Sequence, residues 1–170
     1  MTKPKIMTIY GTRPEAIKVA PVIKALDKDE RFESIPVSTG QHKEMLEQVN
    51  TMFGIQPKHD LGLMKQGQGL NELVSRAIAG LDSIIEEEKP DVIISQGDTS
   101  TAMAAALAGF HRGVKIVHLE AGLRTGDIHS PFPEEANRKL IGQVAELHLA
   151  PTEGSMENLR RENVRSKDIV

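Results

Sequence analysis

The 170-residue chain contains no cysteine and no tryptophan. Without thiols, disulfides, thiolate metal sites and a cysteine nucleophile are excluded, and a reducing compartment is permitted. Aromatic residues make up only 3% of the chain, too few for the stacking platforms that hold single-stranded nucleic acid. There is no basic block: 21 Lys and Arg stand against 24 Asp and Glu, a net charge of −3. That balance argues against general binding of a phosphate backbone. It leaves room for a small anionic ligand held by one or two placed cations. The most apolar stretch, Thr101–Phe110, is alanine-rich and falls far short of the ~20 residues a membrane helix needs. Met1–Tyr10 lacks the apolar core of a signal peptide. No repeat or linker interrupts the chain. These absences predict one soluble, cytoplasmic domain spanning 1–170, with neither nucleic acid nor membrane as partner.

What is present alternates. Lys5–Tyr10, Ile35–Thr39, Asp91–Ser95, Lys115–Leu119 and Leu147–Ala150 are short apolar runs that read as buried strands. A weaker strand is expected near Leu61–Leu63. Between the runs lie helical patterns. One starts at Pro14, with Pro21 expected to kink or divide it. A second places Met45, Leu46, Val49, Met52 and Phe53 on one face and stops at Gly54. The clearest repeats Leu70, Leu73, Val74, Ala77, Ile78, Leu81, Ile84 and Ile85 at helical spacing. Ser100–His111, about Glu134–Val144 and Ser155–Glu162 complete the set. Asp168-Ile169-Val170 reads as the start of a further strand, which implies a longer parent chain. Strands alternating with helices predict an α/β fold, a doubly wound, mostly parallel Rossmann-like sheet.

In such sheets ligands bind beyond the carboxyl ends of the strands, where strand order reverses. For an order 3-2-1-4-5 the flanking turns are Gly11-Thr12-Arg13-Pro14-Glu15 and Gln96-Gly97-Asp98-Thr99. Each leads into a helix N-terminus, a natural anion site. Arg13 is the first cation there and Lys18 lies one turn further on; the bland reading is that the glycines only permit turns and Arg13 meets a nearby acid. Asp98 fits either an N-cap or a functional carboxylate. Glu120 directly follows a buried strand and opens a long segment, Glu120–Arg138, which holds two glycines and two prolines. Loops of this length in compact domains are usually functional or disordered. Glu134 and Glu135 sit at a helix start, where the dipole favours acids. Asp98, Glu120 and Glu134 together could form an acid/base set for proton transfer at carbon. No Gly-Lys-Ser/Thr loop and no Gly-x-Ser-x-Gly is present, and Gly67-Gln68-Gly69 lacks the third glycine of a dinucleotide site. The six histidines show no metal-ligand spacing.

Taken together, Gly11-Thr12-Arg13-Pro14-Glu15-Ala16-Ile17-Lys18, Gln41-His42, Gly97-Asp98-Thr99, Glu120-Ala121-Gly122-Leu123-Arg124-Thr125-Gly126 and Pro133-Glu134-Glu135-Ala136-Asn137-Arg138 resemble the non-hydrolysing bacterial UDP-N-acetylglucosamine 2-epimerases. The resemblance runs along essentially the whole chain, in the family's order and spacing, and covers the N-terminal half of such an enzyme. It implies a two-domain protein of glycosyltransferase-B type, with the C-terminal nucleotide-binding domain outside this chain. It implies reversible interconversion of UDP-N-acetylglucosamine and UDP-N-acetylmannosamine, by elimination of UDP and its re-addition, with no metal or redox cofactor. By motif match Asp98, Glu120 and Glu134 are the acid/base candidates, and Arg13, Lys18, Asp98 and Glu120 are substrate-binding. Gln41 and His42 match positions that contact an activating second UDP-N-acetylglucosamine. A homodimer is implied for the full-length protein. Gln96 departs from the histidine common in relatives. On the same grounds the isolated chain is expected to be inactive or nearly so. Three alternatives stay open: a glycosyltransferase, a hydrolysing epimerase, and a nucleotide-sugar-binding or assembly domain without turnover.

Overall fold

The computed structural model describes residues 2–40 and 43–170. Among these residues six strands form one sheet in the order β3-β2-β1-β4-β5-β6. They are β1 (Lys5–Tyr10), β2 (Glu33–Ser38), β3 (His59–Asp60), β4 (Val92–Gln96), β5 (Lys115–Leu119) and β6 (Leu147–Leu149). Every neighbouring pair is parallel. The reversal of strand order therefore falls between β1 and β4, where an order 3-2-1-4-5 puts it. Among the described residues five α-helices connect them, α1 (Arg13–Lys28), α2 (Lys43–Phe53), α3 (Leu70–Glu88), α4 (Ser100–His111) and α5 (Glu134–Val144), and α6 (Glu153–Arg161) follows β6.

The strands are apolar on both faces because both faces are covered. On one side Met7, Ile9, Ile35, Val37, Ile93 and Ile116 meet Leu81, Ile84 and Ile85 of α3 and the alanines of α4. On the other, Tyr10 packs with Ala16, Val19, Ala20 and Ile23 of α1 and with Leu46 and Val49 of α2. The small residues of α4 let that helix lie close to the sheet. A Cβ at Gly109 would come within 2.6 Å of the Ile93 and Ile116 side chains.

Four sequence expectations shift. Pro21 does not divide α1, which runs unbroken from Arg13 to Lys28. Pro21 and Ile17, whose carbonyl loses its donor, are both on the exposed side, where water can replace the missing bond. On α2 only Leu46 and Val49 of the five apolar positions are fully buried; Met45 and Met52 face solvent. The weak strand is His59–Asp60, not Leu61–Leu63, since only Val37 and Ser38 of β2 offer it a register. The end of the chain forms a 3₁₀ turn, Ser166–Asp168, and then a single parallel bridge from Ile169 to His148 of β6.

Candidate functional site

Glu120 leaves the end of β5 in the left-handed region, with φ at +67°. For a residue with a Cβ that conformation is disfavoured by about 1–2 kcal/mol and persists only where its surroundings impose it. Here its carboxylate is held from two sides. Lys18 Nζ, one turn into α1, lies 2.8 Å from Oε1 and 2.6 Å from Oε2. Gln96 Nε2, at the end of β4, donates to Oε2. Gln96 is buried, whereas Lys18 and Glu120 are partly open to solvent.

These residues line a cleft of about 460 Å³ over the carboxyl ends of β1, β4 and β5, with Thr12, Pro14, Glu15, Gly97, Asp98, Thr99, Leu123 and Arg138. A second hollow of about 350 Å³ shares Lys18, Gln96 and Glu120 and is otherwise mostly apolar, with Leu119, Leu149, Ala150 and Pro151. The N-termini of α1 and α4 both face the first cleft, so backbone dipoles there favour an anion.

The floor is built by a carboxylate that the sequence reading did not single out. Glu15 completes a capping box with Thr12. Its Oε2 accepts from the backbone N–H of Gly11 at 2.6 Å and of Thr12 at 2.9 Å. Its Oε1 accepts from Thr99 Oγ1 at 2.6 Å, stapling the β1–α1 turn to the β4–α4 turn. Burial pushes the Glu15 carboxyl above its ordinary range, against the lowering effect of those bonds. The Thr12-x-x-Glu15 spacing was the available signal. Thr99 also caps α4 by accepting from Ala102 N, so Asp98 is not the N-cap that one sequence reading made it. Removing the Thr99 hydroxyl (Thr99→Ala) therefore uncaps α4 and strips a partner from a buried carboxylate. The expected loss is about 2 kcal/mol by urea denaturation, with Thr99→Ser close to wild type.

Asp98 lies at the cleft wall, its Oδ2 accepting from Arg138 Nε at 2.9 Å and lying 2.7 Å from Nη2 in an ion pair. Glu134, the third acid/base candidate, does not line the cleft. It is half-buried at the first turn of α5, with no side-chain hydrogen bond or ion pair among the described residues. Its neighbour Glu135 is fully buried and bonds Arg138 Nη1 at 3.1 Å. Burial raises the Glu135 carboxyl, but backbone bonds from Thr125 and Gly126 and the Arg138 guanidinium outweigh it, and the net direction is down. Arg13 is exposed at the first position of α1, beside the lining residues Thr12 and Pro14. Gln41 and His42 lie outside the described residues. Of the sequence candidates, the structure brings Lys18, Asp98 and Glu120 to one cleft, and it gives Glu15, Gln96, Glu135 and Arg138 a supporting role that the sequence does not show.

Arg124 and Glu162 fix the loop from behind, in a two-point pair at 2.8 Å per contact. Beneath the floor, the buried His118 Nε2 lies 2.7 Å from Gly97 O, which makes it the donor. Burial lowers its pKa from 6.5 to about 4, against the raising effect of that carbonyl. Between those values the unfolded chain takes up a proton that the folded chain refuses, so stability falls as pH drops from 6.5 to about 4. The share from this group is about 3 kcal/mol. His118→Gln, which keeps a donor for Gly97, is expected to flatten the dependence of the urea midpoint on pH in that window. An unchanged slope would contradict it. Among the described residues no cluster of His, Asp and Glu is placed to hold a metal ion, and no helix is long and apolar enough to cross a membrane.

The family model for UDP-N-acetylglucosamine 2-epimerase matches residues 24–170. The chain belongs to that family. It is 55% identical over 165 residues to a UDP-N-acetylglucosamine 2-epimerase of Yersinia pestis, covering 97% of this chain and 44% of the relative. Among solved structures it is similar to the UDP-GlcNAc 2-epimerase of Neisseria meningitidis bound to UDP-GlcNAc, with a TM-score of 0.95 and 45% identity. That match covers 98% of this chain and 45% of the other. A more distant likeness, to Acinetobacter baumannii MurG, has a TM-score of 0.69 at 13% identity and covers 99% of this chain and 45% of the other. It shows the fold alone, the glycosyltransferase-B type of Rossmann-like domain. The chain thus spans less than half the length of the curated relatives it matches.

Proposed function

We propose that the protein carrying this chain interconverts UDP-N-acetylglucosamine and UDP-N-acetylmannosamine, and that the chain is the domain forming one wall of its active site. The observation that carries the reading is Glu120. A member of this family holds it in a left-handed turn, pinned by Lys18 and Gln96, on the same cleft as Asp98. A solvent-reachable carboxylate kept in a disfavoured conformation is a feature of sites where geometry matters more than local stability.

A carboxylate takes the proton from C2 of the sugar while the C1–oxygen bond breaks and UDP leaves, giving a 2-acetamidoglucal. A proton then returns to C2 on the opposite face, and the diphosphate oxygen reattaches at C1. Atoms balance, and neither electrons nor a metal are needed. Asp98, Glu120 and Glu134 are the proton-transfer candidates; Arg13 and Lys18 receive the diphosphate, helped by the two helix N-termini. Lys18 is paired with Glu120, so ligand entry exchanges that pair for a phosphate contact. A C-terminal nucleotide-binding domain supplies the facing wall. Homodimerisation, a second UDP-N-acetylglucosamine at Gln41 and His42, and work in the cytoplasm complete the proposal.

The test is ¹H NMR of the sugar H2 signals with UDP-N-acetylglucosamine. The 170-residue chain alone is expected to give no detectable interconversion, because proximity requires both walls. The complete protein is expected to yield UDP-N-acetylmannosamine. Rapid epimerisation by the chain alone would contradict the two-wall reading. Free N-acetylmannosamine, or sugar transfer to an acceptor, would contradict the reaction.

A further inference from the structure

The side chains around Asp98 form a relay that enters from α5. Glu135, fully buried, accepts from Gly126 N through Oε1 at 3.3 Å and from Arg138 Nη1 through Oε2 at 3.1 Å. Arg138, itself buried, donates from Nε to Oδ2 of Asp98, and its Nη2 lies 2.7 Å from the same oxygen. Asn137 Nδ2 holds the Asp98 main-chain carbonyl at 2.9 Å. The backbone and one carboxylate oxygen of Asp98 are therefore both fixed by the same helix. Oδ1 has no partner among the described residues, and Asp98 lines the cleft.

A guanidinium that presents two N–H groups usually takes both oxygens of a carboxylate, in a parallel fork. Here it takes one, which leaves the other free to meet a substrate proton. Glu135 holds Nη1 on the far side of the guanidinium and so limits how far its plane can turn toward the parallel arrangement. We propose that Arg138, locked by Glu135, is a positioning residue that presents Oδ1 of Asp98 to the sugar. The inference rests on the proposed proton-transfer role of Asp98. The i, i+3 spacing of Glu135 and Arg138 shows the pair in the sequence, but not the third member, which comes from the turn between β4 and α4.

The test uses the complete protein. Arg138→Met is expected to lower kcat about 100-fold, the usual effect of displacing a reacting group by roughly 1 Å. KM should change far less than kcat, because the Arg138 donors are spent on Asp98 and Glu135. Arg138→Lys should recover part of the loss. In the Asp98→Asn background, Arg138→Met should have no further effect. A raised KM with kcat unchanged, or a further hundredfold loss on top of Asp98→Asn, would make Arg138 a direct ligand contact and overturn the proposal. Crystal structures supply the readout that does not depend on turnover. The wild type should keep Asp98 Oδ2 on Arg138, and Arg138→Met should release the carboxylate from that position. Asp98 unmoved in the variant would overturn positioning even in an active enzyme. Should the wild type not turn over at all, the proposed reaction fails, and the displacement of Asp98 still decides the positioning role.

Discussion

Replacing Glu120 by Gln is expected to lower interconversion by the complete protein about 10³-fold, within the range for loss of a general acid or base. The fold should survive, because the carboxylate's partner Lys18 is about half exposed and the pair contributes at most about 1 kcal/mol. Glu120→Gly separates chemistry from stability more sharply. Glycine adopts φ of +67° without the steric penalty of a Cβ, which offsets the lost ion pair and the greater flexibility of the unfolded chain. The variant should therefore melt within a few degrees of wild type while losing activity as Glu120→Gln does. A loss of several kcal/mol in Glu120→Gly would show that the residue is retained for the fold.

Gly122→Ala, two residues on, is expected to behave in the opposite way. Gly122 has φ of +89°, and a Cβ there would sit 2.3 Å from the main-chain oxygen of Ser155 on α6. Backbone cannot rotate aside as a side chain can. Relief requires α6 to move, and with it the small cluster of Ala121, Leu159 and Ile169 that ties the loop to the domain. Overpacking and an unfavourable φ each contribute about 1–3 kcal/mol, so the expected loss is about 3 kcal/mol or more. Urea denaturation measures it, and a change under about 1 kcal/mol would mean that the loop root is more yielding than its contacts indicate. Activity should fall too, because Glu120 is carried by the same turn.

These contrasts show what a sequence makes legible. β1, β5 and α4 have the expected bounds, and α3 contains the whole expected stripe Leu70–Ile85, because each is set by local cues: a continuous apolar run, small residues between glycines, or one periodic stripe. Pro21 and Met52 were misjudged because both depend on which side of a helix ends up in water, and that is decided by the sheet rather than by the helix. The parallel, doubly wound sheet followed from the alternation of elements, whereas the strand order that puts the cleft between β1 and β4 was only one of the orders such a sheet can take. The contacts within the cleft did not. Lys18 meets Glu120 across 102 residues and Arg138 meets Asp98 across 40, and no local pattern encodes such pairs. Glu134 and Glu135 illustrate the limit most clearly. One position apart on the first turn of α5, one is half-buried and without a side-chain partner among the described residues, the other fully buried.

Proton transfer at C2 by carboxylates of this wall is tested most directly in deuterated water. The complete protein is incubated with UDP-N-acetylglucosamine, and C2 of the UDP-N-acetylmannosamine formed is examined by NMR and mass spectrometry. Removal and return of a proton by side chains that exchange with solvent predicts one deuterium at C2 in essentially every product molecule, and none when Glu120 is Gln and turnover is lost. Product that forms at full rate and keeps its original hydrogen at C2 would contradict it.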